Sequence, residues 1–459
     1  MIGMPRRGGR RSPRLVVAAA CTVLAVALTG CGGLSQTRLL GSDTGGALTT
    51  LGFGLPDEIA STRVELFKKQ HPDVDLRINE GGFDAQQFLS SVASGRPPDL
   101  IYLDREVLAS YAHRGALEPL TSCVDRAGIR LGDYRKSAVA QTTVDGVLYG
   151  IPEFSIVPVV LVNDKAAADA GVRPQDIDTS DWNGLRALGD RMTKRSGGKL
   201  TRLGFYPKVP DFFPLWVRAA GGDILSADGG TAQLDSPQAK EALSYAKDVY
   251  DRAGGYPAVK AFNDSWDFFG EKNQFATDQV GIMLMENWYL NVLADVSPNA
   301  PVTVLPFTDR QGRPLTWGTG SAWAIPKGAR HVEAACDFIA TMTATETWVA
   351  AAKARVAKRA EEKKPFTGLY TANRVADEQI YREVYRPSGV RWLDEGVKVL
   401  VSVQDAAFTT PPSPAGAEVK DEWESADNRV LQNGDDVATT LESAQRQAQS
   451  AIDRTAAER

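Results

Sequence analysis

The sequence predicts an α/β protein built from two lobes, and three observations lead to that prediction. The chain has 459 residues, and the roughly 430 that follow a removable N-terminal segment exceed what one hydrophobic core usually organises. Strand-like and helix-like segments alternate from Leu48 onward, which favours mostly parallel sheets covered by helices. Residues 32–46 are rich in Gly, Ser and Thr and have no hydrophobic period, so the folded part is expected to begin after them.

An export signal is predicted at residues 1–30. An uncharged run from Leu15 to Leu28 follows the basic residues Arg6, Arg7, Arg10, Arg11 and Arg14, which is typical of a signal peptide. The run is too short to span a bilayer, since spanning takes about 20 apolar residues. Leu28-Thr29-Gly30-Cys31 then resembles the bacterial lipobox, whose cysteine carries a diacylglycerol. Lipidation of Cys31 would anchor the protein to the outer leaflet.

The alternative for Cys31 is an ordinary cleaved signal with an incidental cysteine, and Sec and twin-arginine export both stay open. Residues 31–46 are interpreted as a flexible tether between the lipid and the folded domain. No other segment of the sequence is apolar enough to cross a membrane. The net charge of −5 argues against nucleic acid as a partner.

Four cysteines are present, and two of them are accounted for by the N-terminal segment. Cys21 leaves with the signal, and Cys31 is the predicted lipid site. Outside the cell, Cys123 and Cys336 could form one disulfide, or each could be a small buried apolar residue. Both alternatives stay open, because the sequence gives no Cα separation for the pair.

The first predicted elements follow a β-α-β-α-β order. Leu48 to Phe53 is a strand, Pro56 to Gln70 an amphipathic helix, and residues 74–78 alternate as a second strand. A helix over 88–93 stops at a Gly-Arg-Pro-Pro turn, and residues 99–104 form a third strand that ends in a carboxylate, Asp104. Ligands of such sheets collect at the carboxyl ends of the strands.

The later part of the chain continues the alternation of strands and helices. Residues 147–152 and 157–162 are strand-like, and the segment Glu153-Phe154-Ser155 joins them. Ser321 to Ile325 is an apolar strand that Pro326 ends, and a helix is predicted from His331 to Thr341. The C-terminal part is predicted to be helical, with a last helix after Asp435-Asp436.

From Leu48 to the C-terminus, several segments occur in the order and spacing of a known family. They are Phe67 to Val74, Ser94-Gly95-Arg96-Pro97-Pro98-Asp99, Gly115 to Leu120, Asp145-Gly146-Val147-Leu148-Tyr149-Gly150-Ile151-Pro152, Leu161 to Asp164, Asp181 to Leu185, Gln279 to Trp288, and Ser321 to Phe338. Together they resemble the extracellular solute-binding proteins of carbohydrate ABC importers, the group that includes maltose-binding protein. Asn183-Gly184 departs from the acidic residue that the family usually has at that helix start.

The resemblance implies a type II periplasmic-binding-protein-like fold, with two α/β lobes joined by hinge strands around a cleft. The N-terminal lobe would comprise residues 47–118 and about 296–345, and the C-terminal lobe about 119–295 and 346–459. It also implies a monomeric, membrane-anchored protein outside the cell that captures a sugar or oligosaccharide and delivers it to the permease subunits of an ABC importer, without a cofactor, a metal or catalytic residues.

A sugar presents hydroxyl groups at its rim and C–H patches on its faces, so its site needs carboxylates or amides together with aromatic rings. The candidates that the resemblance and the strand ends give are Phe53, Asp104, Glu153, Phe154, Asp211, Phe212, Trp288, Trp317 and Gly318. Each aromatic ring could instead be core. Asp104 and Glu153 could instead be surface acids or helix caps.

Two other classes of function are kept as alternatives. An extracellular glycoside hydrolase would use two of these carboxylates about 5 to 9.5 Å apart, but the sequence contains no H-E-x-x-H, G-x-S-x-G or Walker-type motif. A binding protein that reports to a sensor would have the same sequence features as one that serves a transporter.

Overall fold

The computed structural model describes residues 46–457. The predicted signal peptide, Cys31 and nearly all of the predicted tether lie outside these residues. Among the helices of the described part, none combines the length and the apolar composition that crossing a membrane requires.

The strands are numbered in chain order. They are β1 (Leu48–Leu51), β2 (Leu76–Asn79), β3 (Leu100–Asp104), β4 (Thr143–Val144), β5 (Val147–Leu148), β6 (Ile151–Pro152), β7 (Pro158–Asn163), β8 (Lys194–Ser196), β9 (Lys199–Tyr206), β10 (Val280–Glu286), β11 (Val302–Leu305), β12 (Thr316–Trp317), β13 (Ser321–Ala324) and β14 (Ala407–Phe408).

The α-helices are numbered in the same way. They are α1 (Glu58–Gln70), α2 (Ala85–Ala93), α3 (Arg105–His113), α4 (Thr121–Ala127), α5 (Lys136–Gln141), α6 (Asp164–Asp169), α7 (Trp182–Met192), α8 (Val209–Ala219), α9 (Pro237–Arg252), α10 (Tyr256–Asn263), α11 (Tyr289–Val296), α12 (Val332–Thr343), α13 (Thr345–Glu361), α14 (Arg374–Gln379), α15 (Arg391–Val403), α16 (Gly416–Asn428) and α17 (Val437–Ala457).

The first lobe is built on a five-stranded sheet with the order β2-β1-β3-β13-β6. The predicted β-α-β-α-β start is confirmed, and β1 pairs in parallel with both β2 and β3. Side-chain caps fix where its helices begin, because Asp57 accepts a hydrogen bond from the Ala60 amide and Asp84 from the Gln87 amide. β13 pairs antiparallel with β3 and β6, so the sheet is mixed and β13 reaches it from far along the chain.

The second lobe is built on a sheet with the order β11-β7-β10-β9-β8. β7 is buried along its whole length and β10 along all but its last residue, as expected for strands that are covered on both faces. Asp181 caps α7, accepting a hydrogen bond from the Gly184 amide. Thus the Asn183-Gly184 departure noted in the sequence does not prevent this helix from starting at Trp182.

Strand pairing divides the chain differently from the predicted lobe boundaries. Residues 302–305 form β11 in the second sheet, although the sequence assigned them to the N-terminal lobe. Residues 151–152 form β6 in the first sheet, and Cys123 belongs to the first lobe's core, although both were assigned to the C-terminal lobe. Pairing partners lie far apart in sequence, and no local pattern specifies them.

Two of the segments that cross between the lobes pair with each other. One joins β6 to β7 and the other joins β12 to β13. The Ile156 amide donates to the Thr319 carbonyl at 3.0 Å, and the Thr319 amide donates to the Ile156 carbonyl at 2.9 Å. Arg105, at the start of α3, donates to the carbonyls of Phe154 and Thr319, each at 2.6 Å. One buried guanidinium therefore bridges both crossing segments.

The open question about the two cysteines is resolved in favour of a disulfide. Cys123 on α4 and Cys336 on α12 are bonded, with a Cα separation of 5.5 Å, which is within the usual range for a disulfide. Both residues are buried in the first lobe. The bond joins segments 213 residues apart.

Candidate functional site

A cavity of about 390 Å³ opens between the two lobes, and we call it the acidic cavity. Its walls come from the first lobe, the second lobe, the crossing segments and the C-terminal helix α16. The lining residues are Asp104, Glu106, Ile156, Pro158, Lys208, Pro210, Asp211, Phe212, Glu286, Trp288, Trp317, Thr319, Gly320, Lys420, Trp423 and Glu424. Five of the nine predicted site residues are among them: Asp104, Asp211, Phe212, Trp288 and Trp317.

Strand ends supply carboxylates from both lobes. Asp104 is the last residue of β3, and its exposed side chain does not cap the helix α3 that follows. Glu286 is the last residue of β10 in the other sheet. Each sheet therefore directs the carboxyl end of a strand into the crevice, which is where ligands of open α/β sheets bind.

Lys208 sits at a tight turn between β9 and α8. Its backbone is left-handed, with φ of 49° and ψ of 43°, an uncommon conformation for a residue with a side chain. Its ammonium lies 3.1 Å from the Asp211 carboxylate and 3.5 Å from that of Glu286. Lys208 also lies 5.0 Å from the centre of the Phe212 ring. The turn thus gathers a cation, two carboxylates and a ring on the second-lobe wall.

Helix α16 closes another side of the acidic cavity. Its Lys420 lies 3.7 Å from the Glu106 carboxylate on α3. Trp423, three residues after Lys420 on the same helix, stacks on Phe213 with ring centres 5.9 Å apart, and Glu424 follows it. α16 packs against both α3 and α8, so the C-terminal part of the chain contributes to the site.

Carboxylates outnumber cations in the acidic cavity. Five of the lining side chains are acidic, against two lysines, and both lysines already lie beside carboxylates. Burial raises the pKa of Glu106, and the nearby Lys420 opposes this shift. Burial likewise raises the pKa of Glu424. Such a wall suits uncharged hydroxyl groups or a cation and disfavours an anion, because like charges repel across a desolvated site.

The aromatic side chains of the acidic cavity differ in how much surface they present. Trp288 is 39% exposed, whereas Phe212, Trp317 and Trp423 are nearly buried. The indole N–H of Trp317 donates to the Thr410 hydroxyl at 3.2 Å, which fixes that ring as part of the wall. Trp288 is therefore the ring best placed to stack on a ligand.

A second cavity of about 380 Å³ adjoins the first, and we call it the amide cavity. Ile156 and Trp288 line both cavities. Phe154, a predicted site residue, lines the amide cavity along with Asn287 and Asn291. Trp288 therefore borders both spaces.

The prediction that Glu153 faces the cleft is wrong. Its side chain is fully buried, and its carboxylate accepts a hydrogen bond from Arg63 Nη1 at 2.5 Å. Burial raises the pKa of the Glu153 carboxyl, while Arg63 opposes this. The Glu153 amide donates to the Ser321 carbonyl at 2.9 Å, and this backbone pairing turns the side chain into the first lobe.

Phe53 and Gly318 also lie outside the two cavities. Phe53 is buried in the first lobe's core, with its ring centre 4.8 Å from that of Trp323. The Gly318 amide donates to the Phe408 carbonyl at 2.7 Å, and a Cβ at this glycine would lie 3.1 Å from the Ala407 Cβ. Gly318 thus packs behind the cavity wall against β14.

Several residues of the site were missed by the sequence predictions. Glu106 follows Asp104 by two residues and could have been found by extending the strand-end argument into α3. Lys208, Lys420, Trp423 and Glu424 carry no local signal, because their positions depend on a turn of unusual backbone and on the docking of α16.

Other cavities of the described residues lie away from the crossing segments. A space of about 810 Å³ lies beside β11 and α15, and one of about 380 Å³ lies near the N-terminus of α13. Neither is lined by residues of both sheets. Within residues 46–457, no group of three or more His, Cys, Asp or Glu side chains is placed to hold a metal ion.

Comparison with known proteins agrees with this architecture. A family described as "Bacterial extracellular solute-binding protein" matches residues 55–347. The arabinooligosaccharide-binding protein of Bacillus subtilis (strain 168) is 24% identical over 305 residues, which cover 64% of this chain and 68% of that protein. A maltooligosaccharide ABC transporter solute-binding lipoprotein of Streptococcus pneumoniae serotype 4 is 22% identical over 336 residues, 71% of this chain and 75% of that one.

Among solved structures, that of CpMnBP1 with mannotriose bound superposes with a TM-score of 0.70 at 21% identity. The match covers 88% of this chain and 100% of that one. The predicted two-lobed type II fold is thereby confirmed, as is the resemblance seen in the sequence. This chain belongs to the family of bacterial extracellular solute-binding proteins.

Proposed function

We propose that this protein is the extracytoplasmic substrate-binding lipoprotein of an ABC importer, which captures a sugar or oligosaccharide and delivers it to the permease subunits in the membrane. The observation that carries the proposal is the cleft between the lobes, where a partly exposed tryptophan lies beside carboxylates from both sheets. Relatives named for binding arabinooligosaccharides and maltooligosaccharides support the same ligand class.

The chemistry of the walls fits a sugar in two ways. Carboxylates such as Asp104 and Glu286 accept hydrogen bonds from hydroxyl groups, and charge-assisted bonds of this kind are the stronger ones. The Trp288 face offers an apolar surface for the C–H patches of a sugar ring. Because these groups belong to different lobes, one ligand would hold both lobes together and favour closure about the crossing segments.

Binding without turnover is the expected behaviour. We expect micromolar-scale affinity, roughly −8 kcal/mol, for an uncharged saccharide in a largely preformed site. Incubation with the bound oligosaccharide should leave its chain length unchanged. New reducing ends in that incubation would instead support the glycoside hydrolase alternative.

A thermal-shift screen tests the ligand class directly. Mono- and oligosaccharides are compared with sugar phosphates, uronic acids and amino acids at matched concentration. A ligand at a hundred times its Kd stabilises the native state by about 2.7 kcal/mol. We expect neutral saccharides to raise the melting temperature. A screen in which only anions or amino acids do so would overturn the ligand class.

The lipid anchor is part of the proposal and has its own test. Cys31 is the predicted acylation site, and the acyl chains would be the anchor. Cys31→Ser is expected to move the protein from the membrane fraction to the medium. Retention of that variant on membranes after a high-salt wash would contradict the lipobox interpretation.

A further inference from the structure

An exposed pair of aromatic rings extends the cleft wall outward. Among the described residues, four large hydrophobic side chains are exposed: Phe269, Trp288, Val332 and Val401. Phe269 is 66% exposed and its ring centre lies 6.2 Å from that of Trp288, with an angle of 16° between the two planes. The two rings are thus neighbours with nearly parallel faces. Trp288 lines both cavities, whereas Phe269 lines neither.

The loop that carries Phe269 is anchored on one side by the preceding residue. The Phe268 ring packs on buried Tyr289, with ring centres 4.4 Å apart. The Tyr289 hydroxyl donates to the Phe268 carbonyl at 2.9 Å and accepts from Gln274 Nε2 at 2.8 Å. Both the backbone and the side chain next to Phe269 are therefore held by the second-lobe core.

The other side of the loop is fixed by a tight turn. The Gly270 amide donates to the Asp267 carbonyl at 2.9 Å, and a Cβ at Gly270 would lie 2.1 Å from the Asp267 carboxylate. Asn273 is fully buried and donates to the Gly270 carbonyl at 3.0 Å and to the Ser297 hydroxyl at 2.6 Å. Hence Phe269 is held in solvent by an ordered turn.

Holding a phenyl ring in water gives up the stabilisation that its burial would provide. Isolated exposed apolar residues are common and need no explanation. Phe269 differs because it adjoins the one exposed tryptophan of the described residues, at the wall of the cleft, on an anchored turn.

We propose that Phe269 and Trp288 form one platform that binds a saccharide unit outside the cavities, so that the protein selects an oligosaccharide whose chain projects past Trp288. This inference rests on the proposed function and names the substrate class more closely. An aromatic face suits a projecting sugar because it binds C–H patches without needing the rim hydroxyls to be desolvated. The acidic and amide cavities would hold the enclosed part of the chain.

Calorimetric Kd values for two oligosaccharide series test the proposal. The probes are arabinose to arabinopentaose and glucose to maltopentaose, measured with the wild type, Phe269→Ala, Phe269→Tyr and the matched control Val401→Ala. In the series that binds, we expect wild-type affinity to rise with chain length. Phe269→Ala should lower the affinity for the longest chains roughly threefold to tenfold and leave the shortest bound chain unchanged. Phe269→Tyr and Val401→Ala should resemble the wild type.

The other outcomes separate this inference from the proposed function. Equal loss at every chain length, or no loss at any, would overturn the platform while saccharide binding stands. Reduced transport in cells with unchanged Kd values would overturn it in favour of a contact between Phe269 and another protein. If the wild type binds no member of either series and no saccharide in the thermal-shift screen, both the proposed function and the platform fall.

Discussion

The cleft and the crossing segment beside it each contain a carboxylate that follows or ends a strand, and the two carboxylates have different roles. In the acidic cavity, exposed Asp104 ends a strand and leaves its helix uncapped. In the hinge cluster, which we define as Arg63, Glu153, Phe154 and Trp348, the carboxylate of Glu153 is fully buried on Arg63. The Arg63 guanidinium in turn lies 4.1 Å from the centre of the Trp348 ring.

The contrast between Glu153 and Asp104 shows that burial decides what a carboxylate can do. A buried charge must be paired within the protein, because its desolvation is otherwise too unfavourable. Glu153 is therefore committed to Arg63. Asp104 stays in contact with water and can exchange that water for a ligand hydroxyl.

The largest effect is expected from breaking the hinge pair. Glu153→Ala leaves the Arg63 charge buried without its partner, and should lower the free energy of unfolding by about 3–5 kcal/mol. Asp104→Ala is the matched control, because its carboxylate is exposed, and it should change stability by less than about 0.5 kcal/mol. Urea denaturation of both variants measures the contrast.

A double variant distinguishes the pair's charge from its packing. Arg63→Met with Glu153→Leu replaces both charges by apolar groups, which should recover most of the stability lost in Glu153→Ala. Equal instability of the single and double variants would mean that shape, and not the uncompensated charge, sets the loss.

Two tryptophans give the next comparison, one in the cleft and one in the core. Trp288→Ala should weaken saccharide binding by about 2–4 kcal/mol with little effect on the unliganded melting temperature, because Trp288 is 39% exposed. Trp323→Ala, at a fully buried position of β13, should destabilise the protein by about 3–5 kcal/mol. Calorimetry and unliganded melting curves separate the two. A large unliganded destabilisation in Trp288→Ala would place its ring with the core.

A smaller effect is expected from replacing Arg105, whose hydrogen bonds connect Phe154 of the hinge cluster to Thr319 of the acidic cavity. Burial lowers the pKa of Arg105 to about 10, so it remains charged at neutral pH. Arg105→Lys keeps the charge but replaces the two Nη atoms, which bond the carbonyls of Phe154 and Thr319 separately, by a single ammonium nitrogen. We expect a loss of about 1–3 kcal/mol in unfolding free energy and a modest fall in ligand affinity. Wild-type stability in Arg105→Lys would show that the bridge is dispensable.

The smallest effect is expected in the pH dependence of stability. It concerns Asp99, which directly precedes β3 and so lies at the opposite end of that strand from Asp104. Burial opposes ionisation of Asp99, but hydrogen bonds from Thr49 and His331 outweigh it, so the pKa of Asp99 lies below its ordinary value of 3.8. Because the folded state holds this proton less tightly than the unfolded chain, the stabilisation is present above that ordinary value and is lost as pH falls through the lowered pKa.

Melting temperatures between pH 5 and pH 2 measure this loss. We expect the Asp99→Asn variant, which cannot ionise, to decline less steeply than the wild type on acidification. Parallel curves for Asp99→Asn and the wild type would contradict a lowered pKa of Asp99 in the folded state.

Much of the site could be predicted because strand ends carry a local signal. Asp104 follows a short apolar strand, and Trp288 follows β10 within a motif of the family, and both line the cleft. The same rule failed at Glu153, because the strand before it has only two residues and its side chain turns into the first lobe against Arg63 on α1. Ninety residues separate that pair in the chain, so no local pattern could reveal it.

The β-α-β-α-β start, the cap at Asp436 and the family could be predicted from the sequence, because hydrophobic period, capping residues and motif order are local properties of the chain. Three features became known only from the fold: Cys123 and Cys336 are bonded, β11 joins the second sheet, and α16 brings Lys420 and Trp423 to the cleft. Those outcomes depend on which distant surfaces pack against each other. The hydrophobic effect is non-directional and roughly proportional to the apolar area removed from water, so it does not select a partner by its position in the sequence.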